Sequence, residues 1–363
     1  MKTIGNLQAL RGIAAALVVV HHLRDILAQS WPAVKDVQLG AAGVDIFFVL
    51  SGVVIALSEA RREPDLRGFA VRRIVRVVPN YWAILAVIGL MLLAGLSPVG
   101  IQATDGTFEN LTKSAAFIPF ERAHGAIMPL LGVGWTLNYE MFFYLVFAAL
   151  IWLPAGMRTV VLLAVMLALV TLGRVIQPEG VLARFYTNPI LLEFAAGVML
   201  ATWWMYHRKT RLDRWMGIGL CVVGCIGLLL AARPEGFEQL MPERALIFGI
   251  PAVLIVAGTM LAESGGARLT GRFWALMGAA SYAVYLSHTL VLQIVEKVAN
   301  ALGLLSGSTV VVLAVAVAGF VASHVIGYMF YAKFEEPVKQ FLSRRFVPTR
   351  RTTRSPNQPD LQK

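Results

Sequence analysis

Charge is what this sequence lacks. Only 15% of its 363 residues are Asp, Glu, Lys or Arg, against about a quarter in a soluble domain. Hydrophobic residues make up 58%, and the mean hydropathy is +0.69. Apolar runs near 20 residues recur along the chain, too many and too continuous for a soluble helical fold. Alternating segments of about ten residues, the mark of a membrane barrel, are missing. Cysteine is nearly missing as well: Cys221 and Cys225 share one apolar run at helical spacing and read as packing side chains. No zinc-type cluster of Cys and His occurs, so no protein-held metal is expected. The opening MKTIGNLQAL leads to no small-residue cleavage site, and the first apolar run is read as retained. Nucleotide motifs, a nucleophile elbow, a hydrolase-like outer domain and an inverted repeat are also lacking.

What remains is an all-α polytopic membrane protein. Ten spans are expected, at residues 7–28, 40–58, 80–96, 133–153, 158–176, 187–206, 215–232, 245–262, 273–295 and 309–331. The net charge of +11 suggests nucleic acid only until the charges are placed. With both termini in the cytoplasm, the cytoplasmic segments hold 22 Lys and Arg and the opposite loops 9, and Arg11 lies within a span. That excess fixes the orientation and leaves a bilayer, not a nucleic acid, as the partner.

Residues 11–52 carry the most informative stretch. RGIAAALVVVHH, a short polar gap and then GVDIFFVLSG set an arginine, two histidines and an aspartate inside apolar runs. Such residues are costly in hydrocarbon and mark sites by default. Eleven residues return a helix to within about 20° of its starting direction, so Arg11 and His22 share a face about 16 Å apart along the axis. If the gap turns the chain back, Asp45 sits at the depth of His22. It is then expected to orient the imidazole, leaving the second nitrogen to take a proton.

Further candidates follow along the chain. Arg73 and Arg76, three apart in FAVRRIVRVVPNYW, read either as positive-inside anchors or as a phosphate clamp. Glu140, within the fourth span, is a site candidate, and Glu193 a weaker one. Trp135, Tyr139 and Tyr144 suit either an interfacial belt or a substrate wall. His288, in SYAVYLSHTLV with Tyr282 and Tyr285, is expected at the depth of His22, Asp45 and Glu140. Four such residues at one depth favour a site. His324 is read as structural. KFEEPVKQFLSRRF at 333–346 reads as an interfacial amphipathic segment, and residues 350–363 as disorder.

These segments resemble the acyltransferase-3 family of integral-membrane O-acyltransferases. The matching stretches are LQALRGIAAALVVVHH at 7–22, GVDIFFVLSG at 43–52, FAVRRIVRVVPNYW at 69–82, WTLNYEMFFY at 135–144, SYAVYLSHTLV at 281–291 and FEEPV at 334–338. The resemblance implies an acyl-CoA co-substrate, acetyl-CoA in the first instance, on the cytoplasmic side and no tightly bound cofactor. It implies a hydroxyl acceptor, a polysaccharide or lipid-linked oligosaccharide, reached from the other side of a bacterial inner membrane. Arg11 and His22 are then essential, with Arg11, Arg73 and Arg76 toward the donor. His22, Asp45 and Glu140 form the expected catalytic group, and Trp135, Tyr144, Tyr285 and His288 the substrate wall. The expected domains are a transmembrane unit at 1–331 and a basic cytoplasmic tail at 332–363. The rival reading is a transporter of acyl groups or lipid-linked sugars, with the buried charges as a proton relay; a non-catalytic sensor is a third.

Overall fold

The computed structural model describes residues 5–60, 62–96, 98, 101–102, 104–232 and 241–347. Ten helices occupy the ten expected spans: α1 (Gly5–His22), α2 (Ala42–Glu59), α3 (Leu66–Leu93), α4 (Trp135–Ala149), α5 (Ala155–Ile176), α6 (Leu191–Tyr206), α7 (Asp213–Leu230), α8 (Ile250–Ser264), α9 (Arg272–Ala301) and α10 (Thr309–Phe330). An eleventh, α11 (Glu336–Phe346), closes the described chain. No strand occurs among the described residues. The chain is an all-α polytopic membrane protein. Residues 350–363, expected to be disordered, lie outside the described residues.

Eight helical stretches are long and apolar enough to cross a bilayer. The other two expected spans are α1 and α4. Helix α1 carries Asn6, Gln8, Arg11, His21 and His22 within 18 residues. Helix α4 has 15 residues, about 22 Å of rise, short of the roughly 30 Å of hydrocarbon. Both are core helices whose polar faces the surrounding spans enclose.

The third span begins at Leu66, not at residue 80. Asp65 caps it by accepting from the Gly68 amide at 2.9 Å, and Pro79 is carried inside the helix. The basic cluster at 72–76 therefore lies on a membrane helix and not in a loop. At the other end of the chain, a π turn over Tyr331–Glu335 joins α10 to α11 without a break. Helix α11 packs back on α3.

Two glycine contacts set the positions that matter. A Cβ at Gly197 of α6 would lie 2.1 Å from the Val49 carbonyl of α2, and one at Gly52 2.3 Å from that of Phe194. Only glycine allows this approach. Helices α1 and α9 run parallel, and Gly278 sits so close to α1 that a Cβ would lie 2.3 Å from the Gln8 carbonyl. Gly12 likewise faces Met277. Ten residues on from Gly12 is His22, and ten on from Gly278 is His288. The glycine contact thus puts the two helices in register and brings the two histidines to one level.

Candidate active site

His22 and His288 meet at that level, their ring centroids 5.0 Å apart. The tautomer of His288 follows from its neighbours. Its Nδ1 lies 2.7 Å from the Tyr285 carbonyl and 3.2 Å from that of Val284, and carbonyls only accept. Nδ1 therefore carries the hydrogen, and Nε2 keeps a lone pair that is buried without a partner. His22 makes no hydrogen bond to another described residue and lines a cavity of about 1260 Å³. Its neighbour His21 is held differently: Arg24 reaches the His21 Nε2 at 3.0 Å and its backbone carbonyl at 2.7 Å.

Asp45 is not the partner of His22. Arg244 takes both of its oxygens, Nε to Oδ1 at 3.0 Å and a terminal nitrogen to Oδ2 at 2.7 Å. Arg244 also donates to the Ala41 carbonyl and lies over Trp135 and Phe248. Both ion-pair partners are sealed, at 0% and 1% exposure. A permanent cation with a planar fork outcompetes a neutral imidazole for a buried carboxylate. In the sequence Arg244 counts only among the nine basic residues of the opposite loops. Its signal was there: an arginine opening a span on the side with few basic residues.

Glu140 belongs to a different chamber. A cavity of about 750 Å³ is lined by Arg11, Ser51, Arg73, Arg76, Glu140 and Tyr144, among others. Glu140 accepts from Ser51 Oγ at 3.3 Å and from the Tyr144 hydroxyl. The expected group of four at one depth is thus divided. His22 and His288 stand together, Asp45 is paired with Arg244 beside the larger cavity, and Glu140 lies beyond.

Among the described residues, Val44 and Tyr285 alone line both cavities. The Tyr285 hydroxyl is fixed at 2.8 Å from Thr136 Oγ1 and donates to the Val133 carbonyl at 2.9 Å. Phe47 meets its ring edge-on at 5.8 Å. Trp135 lines the larger cavity, with Phe48 and Tyr139 behind it, so it is buried at the site and not part of an interfacial belt.

The expected arginine pair is also rearranged. Arg73 donates to Ser58 Oγ at 2.8 Å and to Glu59 at 3.2 Å, and Arg72 reaches the same carboxylate at 2.8 Å. Glu59 is itself buried and needs those cations. Arg76 and Arg11 make no hydrogen bond or ion pair with any described residue, and both line the smaller cavity. The two unpaired guanidiniums come from different helices, which a spacing of three along one helix cannot reveal. Among the described residues no His, Cys, Asp and Glu group could hold a metal ion.

The acyltransferase-3 family model, an acyltransferase domain, matches residues 4–331. The chain is 34% identical over 301 residues to the exopolysaccharide production protein ExoZ of Rhizobium meliloti (strain 1021), covering 83% of this chain and 90% of that protein. It is 26% identical to the acyltransferase MdmB of Streptomyces mycarofaciens, covering 94% and 92%. It is also 26% identical to the putative peptidoglycan O-acetyltransferase YrhL of Bacillus subtilis (strain 168), covering 82% of this chain and 50% of that protein. No solved structure matches the chain. The family match runs through both cavities and the wall between them, and this multi-pass membrane acyltransferase, which transfers groups other than aminoacyl groups, belongs to the acyltransferase-3 family.

Proposed function

We propose that the chain moves an acyl group, acetyl in the first instance, from cytoplasmic acyl-CoA to a hydroxyl of a surface or exopolysaccharide sugar. One observation carries this reading: unpaired guanidiniums line one cavity, His22 lines the other, and a wall of Val44 and Tyr285 is shared by both. Arg11 and His22 lie about 16 Å apart along α1. A donor held at Arg11 and reacting near His22 therefore needs an anionic head and a long arm carrying the acyl group. Acyl-CoA has both. The names of ExoZ and YrhL support a polysaccharide acceptor.

In this reading the acceptor enters the larger cavity and His22 takes the proton of its hydroxyl. The hydroxyl oxygen attacks the thioester carbonyl, a C–O bond forms and the C–S bond breaks. The thiolate leaves into the smaller cavity and takes up a proton there. His288, locked as the Nδ1–H tautomer, positions His22 from behind. Asp45 supports the site indirectly through Arg244. Glu140, with Ser51 and Tyr144, sits on the thiol side, where a carboxyl can return the proton to the leaving group. Trp135 and Tyr285 form the acceptor wall, and Tyr144 the donor wall. The orientation has both termini in the cytoplasm of a bacterial cell, in the inner membrane, with residues 1–331 as the catalytic unit.

The test is thiol release from acetyl-CoA by the purified protein, with and without an oligosaccharide acceptor, alongside the ester content of the host's surface polysaccharide with and without this chain. Acceptor-dependent release is expected. No release under either condition would return the chain to the transport reading.

A further inference from the structure

A third cavity, of about 1190 Å³, opens at the N-terminal end of α1 and carries a function that the transfer step leaves unassigned. Arg11, Arg76 and Tyr282 line it and the smaller chamber alike, so the two adjoin. Its remaining walls come from the start of α9, with Trp274, and from the π turn and α11, with Tyr331, Glu335 and Lys339.

Each wall makes a separate demand on a ligand. Arg11 and Arg76 make no hydrogen bond or ion pair with a described carboxylate, Glu335 across the cavity acting on them only through space, and Lys339 beside them is paired with Glu336. Three cations at one mouth suit a ligand with more than one phosphate. Trp274 and Tyr331 contribute aromatic surface to the same cavity, which suits a flat heterocycle. Glu335 has one carboxylate oxygen buried without a partner. A buried oxygen of that kind requires a hydrogen-bond donor, such as an exocyclic amine or a ribose hydroxyl. The Glu335 side chain is placed there by the π turn, an irregularity found at functional positions.

We propose that this cavity is the seat of a purine nucleotide head, and that Trp274, Tyr331 and Glu335 select a donor by the part of it farthest from the acyl group. This rests on the acyl-CoA reading and adds to it a subsite that the chemistry of transfer does not need. A thioester on phosphopantetheine alone would reach the wall at Tyr285 but leave this cavity empty.

The experiment compares acetyl-CoA with acetyl-phosphopantetheine on the purified full chain. The wild type is expected to favour acetyl-CoA by at least tenfold in kcat/KM, and Trp274→Ala or Glu335→Gln to bring that ratio close to one. An 8-azido derivative of adenosine 3′,5′-bisphosphate should label the wild type in the peptide that follows Arg272 or in the one that spans Glu335. Equal use of both donors by the wild type would overturn the proposal, as would an unchanged ratio in both variants or a label confined to other peptides. If a variant is lost from the membrane, the labelled peptide decides. Thiol release from neither donor would defeat the acyl-CoA reading itself, whereas release without discrimination defeats only the nucleotide subsite.

Discussion

Arg244 grips Asp45 by both carboxylate oxygens, and each partner is shut away from solvent. The pair ties α2 to the segment leading into α8 and forms the floor on which Trp135 rests. Removing one partner of a buried ion pair costs about 3–5 kcal/mol, because the other charge is left alone. Asp45→Asn is therefore expected to lower the melting temperature in detergent and the amount of folded protein. Arg244→Gln added to it should recover part of that loss. An Asp45→Asn variant that is as stable as wild type but inactive would make Asp45 a chemical participant after all.

His22→Ala is expected to abolish transfer, by ~100-fold or more, while the protein still inserts, since it removes the proposed base. His21→Ala should be far milder, because His21 is tied to Arg24. His288→Ala should lower kcat without raising the KM for acetyl-CoA, and shift the pH profile of kcat. His288→Gln should recover part of the rate. An unaltered profile in both His288 variants would leave His288 as packing.

The arginines should separate by phenotype. Arg76→Gln removes a cation with no protein partner and is expected to raise the donor KM about tenfold or more, since a charge-assisted bond is worth about 1.5–3 kcal/mol. Arg73→Gln strips a hydrogen-bonded cation from buried Glu59 and should lower thermal stability first. The reverse outcome, a KM effect from Arg73 alone, would restore Arg73 as the donor contact.

Tyr285→Phe keeps the ring that divides the chambers but loses the hydrogen bonds to Thr136 and Val133. Looser anchoring should let water reach the thioester. The expected result is acetyl-CoA hydrolysis without acceptor, rising relative to transfer. A variant with less transfer and no added hydrolysis would show that the hydroxyl serves the acceptor instead.

For orientation, reporters fused after Arg62 and at the C-terminus should register the cytoplasm, and one at Gly106 the outer side. A cytoplasmic signal at Gly106 would reverse both chambers.

Much of the fold was legible in the sequence because its signal is local. Ten apolar runs became ten helices, and Arg11 and His22 stand on the same one. What stayed hidden depends on contacts between distant segments. Whether Asp45 meets His22 or Arg244 is decided by a residue almost two hundred positions away. The common level of His22 and His288 was legible, but the close approach that brings their rings together follows from Gly12 and Gly278, which look in the sequence like ordinary packing glycines. Arg73 and Arg76 look equivalent in the sequence, yet Glu59 claims only Arg73 of the two. The start of α3 at Leu66 was obscured because arginines in a helix resemble arginines in a loop.

The thin wall at Val44 and Tyr285 has an electrical consequence. A membrane potential ordinarily falls across roughly 30 Å of hydrocarbon. With the two cavities open to opposite sides, as proposed, much of that fall is confined to the wall of Val44 and Tyr285 between them. An elementary charge crossing the full drop gains or loses about 2.3 kcal/mol per 100 mV. In the proposed reaction, a proton taken at His22 and released into its own cavity crosses none of that wall, whereas one delivered to the departing thiol on the Glu140 side crosses nearly all of it. The route of one proton therefore decides whether acylation runs at the same rate in an energised cell as in a detergent micelle.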